Sequence, residues 1–296
     1  MNVWQRTAVL FFLTLIVPIS PVESEGRDTR DLPDIRRVGS LRHLGVPYAN
    51  FVTGAGDGLS VELITLFADH LGVRYRYVRT SWPDVIADLS GVRVLPRGAG
   101  VDILGNAPVK GDLIASGLTV LAWRQKVVTF SEPTFPTQVW LVARADADLQ
   151  PITPTGDIRQ DIQLVKDRMK GLSVVGKENT CLDPSLYELE DTGARVLLHP
   201  GSLNELAPAV LNRDAEAALL DVPDALIALE KWPGRLKVIG PVSPIQDMAV
   251  AFPKGAVQLK ETFDRFFEEL KSSGAYRGLV RKYYPSVLKH FPGFFR

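Results

Sequence analysis

The chain carries few residues placed to do chemistry, and the most suggestive is Arg124 in the run "SGLTVLAWRQKVVTFSEP". A guanidinium presents a planar fork of donors that matches a carboxylate with two parallel hydrogen bonds, and partial burial strengthens the pair. Standing after a turn, the same arginine could equally be an ordinary exposed charge. Gly117, beside Ser116, would let the backbone approach a ligand closely, although a plain tight turn explains both residues. Asp221 closes the apolar run of "AALLDVPDAL", where a buried charge needs a partner. It would serve as well as the cap of a helix whose first turn holds Pro223.

Other reactive groups form no constellation. Cys181 is the only cysteine and reads as a small buried residue, since no histidine lies close to it in sequence and His199 has no evident acid partner. His43, His70, His199 and His290 are scattered without metal-ligand spacing and read as surface or helix-end histidines. The sequence has no GxSxG, HExxH, P-loop or CxxC motif. Neither a cofactor nor a metal is expected.

The elements that would position Arg124 and Asp221 must come from a chain of 296 residues, 46% of them hydrophobic. That is enough for one large core or two medium ones, and two lobes is the preferred reading. A formal net charge of zero gives no long-range field to collect nucleic acid or anionic lipid. The N-terminus, "MNVWQRTAVLFFLTLIVPISPVES", puts Arg6 before an apolar run from Ala8 to Ile19, then Pro21 and small residues near Ser24. That is the layout of a secretory signal peptide over residues 1–24, and the run is short of the ~20 residues a membrane span needs. No cysteine stands there to take a lipid, and a single cysteine forms no intrachain disulfide. A soluble, monomeric periplasmic protein is expected.

Residues 25–37 are charged, lack an apolar period and read as a flexible leader. From Val38 the pattern alternates strand and helix. "LRHLGVPYANFV" is a strand entering a loop, "DGLSVELITLFADHLG" an amphipathic helix, "VRYRYV" a strand, and "SWPDVIADL" a helix with Ser81 as its cap. Residues 91–110 interrupt this rhythm with glycines and prolines and read as an insertion holding one short strand at "VDIL". "QVWLVAR" is an apolar strand, after which the chain is expected to cross between lobes near Ala145. A second alternation follows to "LKVIGPVSP", the expected return. Two C-terminal helices then carry a stripe of Phe263, Phe266, Phe267 and Leu270 facing a core. The expected class is α/β, with a mostly parallel sheet flanked by helices in each lobe. The first lobe would span residues 38–144 plus 245–296, and the second 145–244.

From about Leu41 to Tyr284 the chain resembles the type 3 extracellular solute-binding proteins that deliver polar amino acids to bacterial ABC importers. The resemblance rests on "DGLSVELITLFADHLGVRYRYV", "TSWPDVIADL", "GDLIASGLTVLAWRQKVVTFSEPTFP", "LKVIGPVSP" and "AVAFPKGAVQLKETFDRFFEELKSSGAYRGLVRKYY", in that order. It implies a two-lobed periplasmic binding fold of type II, with two hinge crossings closing around a small ligand. It also implies that Arg124 grips the ligand carboxylate, helped by Thr119 and the backbone of Ser116 and Gly117, while Asp221 pairs with the ammonium. Asn179 and Thr180 match a second-lobe loop that reaches the carboxylate, although "GKENTC" departs from the usual glycine and paired-hydroxyl pattern. Tyr48 and Phe51 fall where an aromatic stacks on the ligand side chain. Trp82 is a further candidate, with rim packing as the alternative for all these rings.

The partners implied are a small polar ligand and a membrane permease. Related domains also serve as sensor modules attached to lytic transglycosylases, and some members of this fold are dehydratases of prephenate-like acids. A chain ending at Arg296 is not expected to hold a muramidase domain as well. A dehydratase would need a general acid over the clamped carboxylate, for which Asp221 is the candidate. A sensor reporting to a membrane receptor would use the same cleft.

Overall fold

The computed structural model describes residues 29–295, so the signal sequence expected at 1–24 lies outside the described residues. The first sheet has strand order Arg74–Arg79, Ser40–Gly45, Leu113–Ile114, Ala251–Pro253, Val128–Phe130. The first three strands are parallel, and Ala251–Pro253 runs against both of its neighbours. Helix Leu59–Leu71 packs on this sheet because Val61, Ile64, Phe67 and Ala68 recur at helical spacing and are all buried. Helix Val257–Ser272 adds Phe263, Phe266 and Phe267 to the same core, against Phe67 and Phe252. Leu270 is only partly buried there.

The second sheet repeats the plan, in the order Arg195–Leu198, Ser173–Gly176, Ala217–Asp221, Val139–Arg144, Leu236–Pro241. Here the reversed strand is Val139–Arg144. That strand was expected to close the first lobe. It is instead an interior strand of the second sheet, buried along nearly its whole length. The interlobe crossings therefore lie outside the expected 145 and 245 boundaries. They form a ribbon in which Phe135–Thr137 pairs antiparallel with Gln246–Met248. An apolar strand reads alike in either lobe, and only its pairing assigns it.

Three other expectations give way. Residues 32–37, expected within a flexible leader, belong to helix Leu32–Val38. Asp31 caps it, accepting from Leu32 N at 2.8 Å, and Leu32 and Ile35 are buried. Two apolar residues suffice to dock one short helix, too few to register as a period. Residues 91–110 hold two strands, Val92–Arg97 and Gly100–Asn106, paired as an antiparallel hairpin outside both large sheets. Ser81 is not the cap of its helix, which starts later at Val85 with Asp84 before it; the Ser81 hydroxyl donates to the Asp84 carboxylate at 2.6 Å.

Candidate functional site

Four strands end at one place. Ser40–Gly45 leads to Tyr48, Leu113–Ile114 to the loop of Ser116, Gly117 and Thr119, Ser173–Gly176 to Thr180 and Cys181, and Ala217–Asp221 stops at Asp221 itself. Open α/β sheets bind ligands at the carboxyl ends of their strands. Two of these ends belong to each sheet, so the site lies between the lobes. Tyr48, Trp82, Gly117, Thr119 and Arg124 meet Thr180, Cys181, Leu203 and Asp221 around a cavity of about 10 Å³. That is room for about one water molecule.

Arg124 sits on the short helix Ala122–Gln125 and is 3% exposed. Its Nη1 donates to Thr119 O at 2.8 Å, while its Nε and the Thr119 hydroxyl are buried without a hydrogen-bond partner among the described residues. Burial pulls the guanidinium down to about 10, so it remains charged at neutral pH. Among the described residues, no carboxylate hydrogen-bonds to it. A buried charge that is not paired is costly, and an arriving anion would relieve that cost.

Asp221 faces it from the second lobe, fully buried. Its Oδ1 accepts from the Tyr48 hydroxyl across the cleft and from Asp224 N at 3.2 Å; its Oδ2 lies 3.6 Å from Cys181 Sγ. The bond to Asp224 N makes it the cap of helix Val222–Lys231. Burial lifts its pKa to about 6, against the pull of these hydrogen bonds. Asp224, buried beside it, is raised well above the ordinary carboxylate range by burial and by the charge of Asp221. Burial and the same charge push the Cys181 thiol up to about 12, so it stays protonated and is no nucleophile at neutral pH.

The remaining candidates divide. Gly117 lines the cavity at φ 66°, and a Cβ there would fall 2.4 Å from the Phe51 ring. Phe51 is thus the packing behind the loop, stacked on Tyr48 and set edge-on to Phe135, and does not line the cavity. The Ser116 hydroxyl accepts from Val46 N at 2.9 Å and ties the two first-lobe loops together. Thr180 lines the cavity, but its hydroxyl donates to Lys177 O at 2.7 Å and accepts from Leu182 N within its own turn. Asn179 is exposed in the left-handed region (φ 60°) and borders a neighbouring, larger cavity with Trp82 and Trp123. Trp82 lines both cavities and meets the Tyr48 ring edge-on at 5.6 Å.

Sequence reasoning missed Leu203 and the second-lobe Asn204, which accepts from Ala49 N at 3.1 Å across the cleft. The capping box of Ser202 and Glu205 marks that turn in the sequence, but not what it faces. His43 was expected on the surface or at a helix end. It is fully buried in strand Ser40–Gly45, with Nδ1 2.8 Å from the Tyr75 hydroxyl and Nε2 2.7 Å from Ala115 O, one residue before Ser116. Burial depresses it to about 4, so it is neutral and braces the loop without a charge.

This geometry and the sequence agree on the class. The chain belongs to the bacterial extracellular solute-binding proteins, family 3, whose family model matches residues 107–286. Its fold is that of the type II periplasmic binding proteins. It superposes on a mutant of ArgBP from T. maritima with a TM-score of 0.68 and 25% identity, covering 86% of this chain and 99% of that one. An ancestral arginine-binding protein bound to arginine aligns at TM-score 0.66 and 20% identity, over 83% of this chain and 98% of that one. An ancestral amino acid-binding protein, a precursor of cyclohexadienyl dehydratase, aligns at TM-score 0.65 and 21% identity, over 86% and 98%. The chain is also 25% identical over 287 residues to membrane-bound lytic murein transglycosylase F of Desulfosudis oleivorans. That match takes in 95% of this chain and 56% of the relative, so the chain spans about half the length of the curated relative it matches.

Proposed function

We propose that the protein captures a small carboxylate-bearing ligand, an amino acid or a close derivative, in the interlobe cleft and presents the closed form to an ABC importer in the periplasm. The observation that carries this reading is Arg124, a 3% exposed guanidinium whose one hydrogen bond among the described residues is to a backbone carbonyl, beside a Thr119 hydroxyl with no partner among them. Those groups suit a ligand carboxylate. Asp221 opposite is the acceptor for the ligand nitrogen when the Tyr48 hydroxyl yields, and the ribbon at 135–137 and 246–248 is where the lobes would hinge. Similarity to proteins that bind amino acids supports the ligand class.

A second reading, a ligand-sensing module of the kind joined to transglycosylases, is favoured by the match to murein transglycosylase F across 95% of this chain. It uses the same cleft. A thermal-shift screen against amino acids, small dicarboxylates, prephenate and muropeptides separates these readings. A saturating ligand stabilises the native state by about 2.7 kcal/mol at a hundredfold excess over Kd. A shift with one amino-acid class that vanishes in Arg124→Ala supports capture for import; a shift with muropeptides alone supports the sensor. Prephenate alone would favour the dehydratase chemistry, and shifts that survive Arg124→Ala would remove the central claim.

A further inference from the structure

We propose that the ligand is a short peptide, held by its C-terminal carboxylate at Arg124, with the preceding residue lying in a second subsite between the hairpin of residues 92–106 and helix Val85–Ser90. This rests on the reading of Arg124 as a carboxylate clamp and specifies what the rest of the ligand is. Space is the first argument. The cavity at Arg124 and Asp221 holds about 10 Å³, whereas the one beside it holds about 420 Å³, a volume in the range of small-molecule sites. Trp82 lines both, so the two cavities adjoin at that side chain.

The walls of the larger cavity give the chemistry. Trp123 lies in its wall beside Trp82, and the Arg124 guanidinium is 5.3 Å from the Trp123 ring, so two indoles line the cavity and one of them also borders the clamp residue. Asn179 comes to the same cavity from the second lobe, so both lobes enclose it. Asp88 and Lys110 in its wall are paired with each other at 2.8 Å, and Asp84 and Arg93 line it as well, so its two acidic and two basic groups balance. Indole faces with balanced charge suit an apolar or aromatic side chain. Strand Val92–Arg97, also in the wall, pairs only with Gly100–Asn106, and its other edge is unused by any strand of the described residues. An extended peptide backbone can add to such an edge.

The nitrogen end agrees. Asp221 already accepts from the Tyr48 hydroxyl and from Asp224 N, and faces the Cys181 thiol. A carboxylate so supplied can accept one amide N–H from a peptide and has no need of a full ammonium. The C-terminal residue of a peptide offers that combination of a free carboxylate and an acylated nitrogen.

The test compares each free L-amino acid with the same residue extended on its nitrogen by leucine, by titration calorimetry on the purified full chain. The dipeptides are expected to bind at least about tenfold tighter than the matching amino acids, the scale of one good aromatic contact. Ala87→Trp and Ala107→Trp each place an indole in the lining of the larger cavity. Either should abolish the gain and leave free amino-acid binding within about twofold, and having two variants guards against one that fails to fold. Arg124→Ala should remove both classes of ligand. Dipeptides that bind no tighter than amino acids, or a gain that survives both tryptophan substitutions, overturn the peptide subsite while leaving the clamp intact. Binding of either class that is indifferent to Arg124→Ala, or no binding at all, overturns the clamp and the subsite with it.

Discussion

Asp112 and Arg124 are both buried charges of the first lobe, and they are housed in opposite ways. Asp112, fully buried, accepts from Arg30 Nε at 2.9 Å, from Arg42 Nη2 at 2.8 Å and from the Arg42 backbone N at 2.7 Å. Two arginines and an amide answer one carboxylate. Arg124 has one backbone carbonyl and an idle Nε. The first charge is closed within the protein and fixes the start of the fold to the sheet; the second is left open at the meeting of four strand ends. Since a buried charge without a partner is expensive, its retention between the lobes is what supports the proposed binding role of Arg124 over a structural one.

Mutation should tell the two charges apart. Asp112→Ala strands two partly buried arginines and should cost about 3–5 kcal/mol of stability in urea unfolding; a loss under about 1 kcal/mol would deny it a structural role. Arg124→Met should cost more than about 2 kcal/mol of ligand affinity by calorimetry, while stability without ligand holds or rises. A drop in the stability of the unliganded protein equal to that of Asp112→Ala would erase the distinction between them.

Asp221 adds a dependence on pH. Its native pKa, about 6, lies above the unfolded value near 3.9. The native state therefore binds more protons between those values. The contribution of this group to stability is full below about pH 4 and is lost as pH rises through about 6. Asp221→Asn should flatten that slope and stabilise the unliganded protein at neutral pH by on the order of 1–3 kcal/mol, while weakening ligand binding. Urea midpoints from pH 4 to 8 that fall alike in both proteins would contradict it. The smallest effect belongs to Ser116→Ala. Removing the acceptor for Val46 N should cost about 1 kcal/mol of stability and leave affinity within about twofold; a large loss of affinity would restore Ser116 to the ligand.

Arg124 was legible because its surroundings form a local run, and Asp221 because an apolar strand ending in a charge is unusual. What those residues touch was not legible. The Tyr48 hydroxyl reaches Asp221 from 173 residues away, and Ser116 meets Val46 N across 70. Phe51 was rightly placed in the first loop, but an aromatic that packs behind a loop and one that faces a ligand have the same local sequence. The strand at 139–144 shows the same limit at the level of fold: hydrophobicity announces a buried strand and says nothing about which sheet buries it. Residues 91–110 were legible as an excursion. Their pairing into a hairpin, and the cavity it walls, depend on contacts with helix Val85–Ser90 that no local pattern encodes.

Cys181 has a practical consequence. It is the single cysteine of the chain, 5% exposed, and lies where the second lobe touches the first. Buried and protonated there, that sulfur should react with an alkylating reagent through conformations that expose it, so the rate of modification should follow their population. The protein thus carries a native stopwatch for its own breathing, and a bound ligand should slow it.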